Sequence, residues 1–249
     1  MKQSVKLILL VVLYGAQWAK AQTVTDVTNI ADCPYAAFIE FVGGSGDGAI
    51  VSDTQVLTSA STLNVRSGGN IFVFVGNATL RRGKRFTTQT YQVHPSYNPS
   101  TLENNVAIVT IGGAFSAVPN VKPIAIRSSP VSNSANCFSI GWGIRIGDSS
   151  SDFPRRVNYT LVTDQECATK LGLQQPTIQC ASSLKGSGWY ETNAFLLICE
   201  NRLYGVLSAA NLYTFSDAQP IELFTKLTAT SIQQYLSGLI PRKNYVSCD

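Results

Sequence analysis

Cys137-Phe-Ser-Ile-Gly-Trp-Gly143 stands just past the middle of a 249-residue chain and is flanked on both sides by short β-rich runs. Upstream lie Ala36-Ala-Phe-Ile-Glu-Phe-Val42, Asn70-Ile-Phe-Val-Phe-Val75 and Val106-Ala-Ile-Val-Thr-Ile111; downstream lies Leu196-Leu-Ile-Cys199. Gly, Asn, Ser and Pro separate these runs, a spacing that suits a β-sandwich or barrel. Helical periodicity appears once, over residues 228–239, where Ile232, Tyr235, Leu236 and Leu239 share a face before Pro241 stops the helix. Residues 116–134, rich in Pro, Ser and Asn, read as a crossing between two halves.

Residues 1–21 read as a signal peptide. Lys2 and Lys6 give a positive start, Leu7 to Leu13 is apolar, and Ala19-Lys-Ala21 offers small residues for cleavage before Gln22. The apolar run is too short to span a bilayer, so the expectation is a secreted, extracellular protein with no membrane span. The net charge of +4 is mostly the signal segment's, whose removal leaves 16 basic residues against 15 acidic ones. Bulk attraction to nucleic acid is therefore not expected. The six cysteines all lie beyond the signal segment, an even count that in an exported chain argues for three disulfides. There is no CxxC pair, and one histidine cannot build a zinc cluster with them, so neither metal nor cofactor is expected. Asn77-Ala-Thr79 and Asn158-Tyr-Thr160 are glycosylation sequons, whereas Asn98-Pro-Ser100 is blocked by its proline.

Several anchors, in order, resemble the trypsin/chymotrypsin-like serine proteases. Leu57-Thr-Ser-Ala-Ser-Thr62 is similar to the Leu-Thr-Ala-Ala-His-Cys signature of that family. His94-Pro-Ser-Tyr97 and Asn104-Asn-Val-Ala-Ile108 resemble its His-Pro-x-Tyr and Asn-Asp-Ile-Ala-Leu segments. Cys137-Phe-Ser-Ile-Gly-Trp-Gly143 resembles Cys-x-x-x-Gly-Trp-Gly, and Phe224-Thr-Lys226 with the final helix resembles the family's last strand and tail. The resemblance runs from about Gln22 to Leu239. It implies an all-β fold of two six-stranded antiparallel Greek-key barrels with a C-terminal helix. The first barrel would span about 22–120, the second about 135–227 and the helix about 228–239, within a folded unit of 22–240 followed by a tail, 241–249.

The resemblance breaks at the catalytic positions. The family's histidine falls on Ser61, its aspartate on Asn105 and its serine near Asn193, and residues 191–197 contain no serine. An unassisted hydroxyl is a poor nucleophile at neutral pH, so a protease needs an imidazole beside its serine. His94 is the sole histidine and belongs to the family's structural turn; Ser149, in Gly147-Asp-Ser149, lies far along the chain from the nucleophile position. Losing the serine or the histidine alone costs a working triad enzyme about a millionfold in turnover. The expectation is an inactive serine protease homologue, not an enzyme.

Other losses agree. The family's activating terminus falls at Gln22, which begins Gln-Thr-Val-Thr, and the aspartate that would receive its amine falls near Thr192. The Ser-Trp-Gly wall of the substrate channel becomes Ser208-Ala-Ala210, and the pocket base falls near Ser187. Trp189, Tyr190 and Phe195 around the nucleophile position either fill the cleft or bind something, and filling is the better reading. The family implies disulfides Cys137–Cys199 and Cys167–Cys180, which leaves Cys33 and Cys248 as a third pair.

With the cleft silent, attention moves to loops. Arg81-Arg-Gly-Lys-Arg85 puts Arg81, Arg82, Lys84 and Arg85 in five residues without an acid, in the loop that some clotting proteases use as a basic exosite. It reads equally as a solvated hairpin tip, and a glycan on Asn77 would mask one side. The functional expectation is a secreted binder of an extracellular protein, a cascade protease or its substrate, acting as decoy, cofactor or inhibitor in immunity or clotting. The alternative is a sulfated-glycan or surface binder that uses the basic loop.

Overall fold

A computed structural model describes residues 24–64, 69–145, 151–172, 175–183, 189–190, 194–213 and 221–241. After a two-residue strand β1 (Thr25–Asp26), six strands follow in the first half: β2 (Ala36–Phe41), β3 (Gly44–Ile50), β4 (Gln55–Thr58), β5 (Phe72–Val75), β6 (Lys84–Val93) and β7 (Ala107–Ile111). They close into a barrel in the order β2-β3-β4-β7-β6-β5, with every neighbouring pair antiparallel. Alternation along each strand fills it: Ala37, Ile39 and Phe41 meet Ile50, Val56, Val73, Val75, Val109 and Ile111. Burying an aliphatic side chain such as Ile39, wholly inaccessible here, contributes about 2–3 kcal/mol. Gly48 is required where β3 bends against its neighbour, because a Cβ there would stand 2.4 Å from Val56 Cγ1.

The second half contains β8 (Cys137–Gly141), β9 (Ile144–Arg145), β10 (Arg155–Leu161), β11 (Ile178–Ser182), β12 (Trp189–Tyr190), β13 (Leu196–Cys199), β14 (Arg202–Tyr213) and β15 (Ile221–Lys226). β9 and β12 pair only with each other; the remaining six close as β8-β10-β11-β15-β14-β13, and β13 returns to β8. Numbered along the chain, the strands of both rings run 1-2-3-6-5-4, the same Greek-key circuit twice. This is the chymotrypsin-like architecture.

Among the described residues three α-helices accompany the barrels: α1 (Ala60–Asn64) after β4, α2 (Asp164–Leu171) between β10 and β11, and α3 (Thr230–Ser237) after β15. α2 begins on Thr163, whose side chain accepts from the Glu166 amide, and stops on Gly172 at φ 66°. α3 is shorter than the periodicity suggests, but Ile232 and Leu236 are fully buried as expected. A third core lies between the barrels and draws on both: Ile30, Ala36, Val51 and Leu57 meet Leu196, Leu203, Val206, Leu227, Ile232 and Leu236. The crossing segment is more than a polar linker. Ile124 and Ile126 are buried in that core, and Ile126 bridges in parallel to Leu203.

Candidate functional site

β4 ends at Thr58, and the chain turns at once into α1, which puts Ser61 over the junction between barrels. Asn105 stands just before β7, is fully buried, and reaches back to the same point. The two side chains close on each other. The Ser61 amide donates to Asn105 Oδ1 at 2.8 Å, and Asn105 Nδ2 donates to Ser61 Oγ at 3.1 Å. Ser59 Oγ lies 3.0 Å from Ser61 Oγ and 2.7 Å from Thr62 Oγ1. Behind them the Asn105 carbonyl accepts from Thr225 Oγ1 at 2.8 Å, and Thr225 Oγ1 lies 2.6 Å from Ser208 Oγ. Hydroxyls and a carboxamide make up this cluster, and neither type takes up a proton near neutral pH. The arrangement exchanges hydrogen bonds and offers no general base.

Asn193, with Ser149, Ser187, Thr192 and Cys248, lies outside the described residues, as does the signal segment. Ala194, next to Asn193, is buried at φ 69°, a left-handed conformation that costs a non-glycine residue energy. Phe195 is fully buried in the second barrel's own core beside Leu197, Leu207 and Phe224. Its ring lies so close to Gly141 that a Cβ there would stand 2.2 Å from Phe195 Cδ1. Phe195 therefore fills the barrel interior rather than the cleft. Trp189 and Tyr190 pair through their backbones with Arg145 and Ile144. Ser208 and Ala209 are half-buried on β14.

His94 is a turn residue, and it is buried. The Ser96 amide donates to His94 Nδ1 at 3.1 Å, which leaves Nε2 to carry the proton and donate to the Ser231 carbonyl at 3.3 Å. Its ring packs 4.8 Å from that of Tyr235, so the imidazole fastens the turn to α3.

Two buried carboxyls escape the sequence reading. Asp47, on β3, points with Ala49 and Val51 toward the inter-barrel core, where the Trp142 amide donates to it at 3.2 Å. Burial pushes its carboxyl well above the usual range, more than that one hydrogen bond lowers it. Glu222, wholly inaccessible on β15, accepts a hydrogen bond from the Tyr159 hydroxyl. Burial first, and the Glu222 charge second, push the Tyr159 phenol well above its ordinary value. Their only sequence signals are an acid inside Gly46-Asp-Gly48 and one inside Ile221-Glu-Leu-Phe224.

The disulfides Cys137–Cys199 and Cys167–Cys180 are formed as the family implies. The first joins directly opposed residues of β8 and β13; the second ties α2 to β11. Cys33 is a free thiol among the described residues, fully buried in the inter-barrel core, where burial pushes it up to about 12; its expected partner, Cys248, lies outside the described residues.

The basic cluster lies at the turn into β6, and all four cations are exposed. Arg81 pairs with Glu40 at 2.5 Å and lies 5.3 Å from the Phe38 ring centre, while Arg85 lies 4.7 Å from that of Phe72. Arg82 and Lys84 have no ion pair among the described residues. Beside them is a groove of about 610 Å³ whose lining includes Phe41, Val42, Phe72 and Arg81. Val42 is 60% exposed, far more than a valine normally is in a folded protein. Asn77 and Asn158 are both exposed. Among the described residues no group of acids, histidines and cysteines is placed to hold a metal, and no helix is long and apolar enough to cross a membrane.

The Trypsin family model matches residues 23–232, and the chain belongs to the trypsin family. Trypsin delta of Drosophila melanogaster is 27% identical over 192 residues, 74% of this chain and 76% of that protein. Inactive serine protease scarface, from the same fly, is 31% identical over 124 residues, which cover 46% of this chain and 19% of that protein. Among solved structures, the scabies mite inactivated protease paralogue S-D1 has the same fold, with a TM-score of 0.71 at 18% identity, covering 87% of this chain and 97% of that one.

Proposed function

We propose that this protein is an exported, non-catalytic member of the trypsin family that works by binding. One observation supports the reading: Ser61 and Asn105, which the resemblance to the family aligns with its imidazole and carboxylate, satisfy each other's hydrogen bonds. Without a base the serine chemistry of the family has no proton acceptor, and the Asn193 position supplies no hydroxyl. The mature protein is expected to release no product from a panel of peptide esters and amides, and to take no label from a serine-directed fluorophosphonate. Stoichiometric labelling at any serine overturns the proposal.

The binding surface in this reading is the basic turn. Arg82 and Lys84 are free to meet an acidic partner, and the adjacent groove around Val42 and Phe72 suits an apolar side chain. That pairing favours an acidic protein segment with an aliphatic or aromatic anchor, as in a cascade protease or its substrate, over a sulfated glycan, which has no anchor to bury. The two partners separate on salt. Contacts with exposed charges fade once the Debye length falls below about 8 Å, whereas a buried apolar anchor persists. Binding of an acidic peptide with one leucine should survive 0.5 M salt better than binding of a heparin fragment, by about tenfold. A variant with Arg81, Arg82, Lys84 and Arg85 all changed to Ser should lose both; unchanged peptide binding removes the turn from the proposal.

A further inference from the structure

β10 presents Arg156, Asn158 and Thr160 to solvent in alternation with buried Arg155, Val157, Tyr159 and Leu161. The sequon asparagine and its threonine therefore share the outer face. Directly opposite Asn158 in the ladder stands Phe138, half-buried on β8. The Arg156 guanidinium carbon lies 3.7 Å from the centre of that ring, and Arg156 has no ion pair among the described residues. These side chains line a groove of about 580 Å³, whose lining also includes the exposed Asn133, Asn136 and Asn201. The one acid of the lining, Glu200, is turned into its own ion pair with Arg127 at 2.8 Å.

The composition of this groove selects its occupant. Clefts of this size that hold drug-like molecules are lined mainly by apolar groups. This one is lined by carboxamides, which donate and accept at once as sugar hydroxyls do, and by a guanidinium whose N–H groups suit carbonyl and ring oxygens. The Phe138–Arg156 stack adds a flat platform for the C–H face of a pyranose. Asn158 is itself part of the lining, so a sugar attached there arrives at a high effective concentration, and contacts too weak to capture a free sugar suffice. We infer that the groove is the bed of an N-linked glycan on Asn158, which holds the core N-acetylglucosamines against Arg156 and the asparagine amides. The inference stands apart from the binding role of the basic turn. Asn77 provides the contrast: exposed in a tight turn, its Oδ1 accepts from the Thr79 amide at 2.8 Å.

The test uses the full protein secreted from cells that build high-mannose glycans. Glycopeptide mass spectrometry measures occupancy at each sequon. An endoglycosidase that cuts between the two core sugars is then timed on native and on denatured protein. Asn158 is expected to be occupied and to lose its glycan about tenfold more slowly in the native state, equivalent to about 1.4 kcal/mol of protection. Arg156→Ser combined with Asn136→Ala should remove most of that protection while release at Asn77 stays unchanged, and an unchanged urea unfolding midpoint reports an intact fold. An unglycosylated Asn158, or equal native and denatured rates, overturns the inference. So does protection that survives the double substitution, because the sugar then rests elsewhere.

Discussion

The two barrels follow the same strand circuit but are held together in different ways. The first is filled by aliphatic and aromatic side chains, and its buried carboxylate, Asp47, faces away from the barrel core toward the other half. The second encloses Glu222 against Tyr159, runs Gln179 to the carbonyls of Val162 and Cys180 at 3.0 and 2.9 Å, and is pinned by two disulfides. Apolar filling is non-directional, so the first barrel depends on volume and alternation. The second depends on specific partners, each costly to lose singly. One topology thus supports two different modes of stabilisation.

The largest expected effect separates them by cross-linking. Replacing Cys137 and Cys199 together by Ser opens a loop spanning 62 residues and should cost about 4 kcal/mol; Cys167 and Cys180, 13 apart, should cost about 3. Urea unfolding of the secreted variants measures both, and equal losses would mean that loop length is not what matters. Next comes filling. Ile39→Ala in the first barrel should cost about 2–5 kcal/mol through its cavity, and a loss under about 1 kcal/mol would show a barrel loose enough to collapse. Tyr159→Phe in the second removes a single oxygen and the hydrogen bond it donates to Glu222, and should cost about 1–3 kcal/mol. A neutral result would mean that water or another hydroxyl replaces the phenol.

The smallest effect is a change of slope with pH. The Asp47 carboxyl is raised above its unfolded value, so the folded protein keeps a proton that the unfolded chain releases above about pH 4. Its contribution is fully present below that pH and is lost as pH rises toward the folded value. Asp47→Asn should therefore gain on the wild type between pH 4 and pH 7 and show little difference at pH 4. Parallel stability curves for the two proteins would remove Asp47 from the pH dependence.

Much of the frame was legible in the sequence, because strand patterning and ordered anchors such as Cys137-Phe-Ser-Ile-Gly-Trp-Gly143 are local signals. The Ser61–Asn105 juxtaposition was legible only through the family, since 44 residues separate the partners. Ile124 and Ile126 were hidden among Pro, Ser and Asn, because burial of an irregular segment depends on what closes over it. Asp47 and Glu222 were hidden for a related reason. An acid on a strand reads as outward-facing, and only barrel closure reveals that its face is covered. The turn at His94 is a local signal, but its burial against Tyr235 requires α3 to fold back across the first barrel.

β1, from the start of the described chain, lies on the second barrel, where Thr25 and Asp26 pair with Arg156 and Arg155. α3, from the other end, reaches the first: Tyr235 donates to the Gln92 carbonyl, and Gln55 donates to that of Leu239. The chain crosses its own arms, each end gripping the opposite half. The barrels cannot hinge apart unless both grips are released, so neither half expressed alone keeps its partner surfaces, and calorimetry is expected to show one melting transition rather than two. In the binding role proposed above, this clasp would keep the offered surface in one shape.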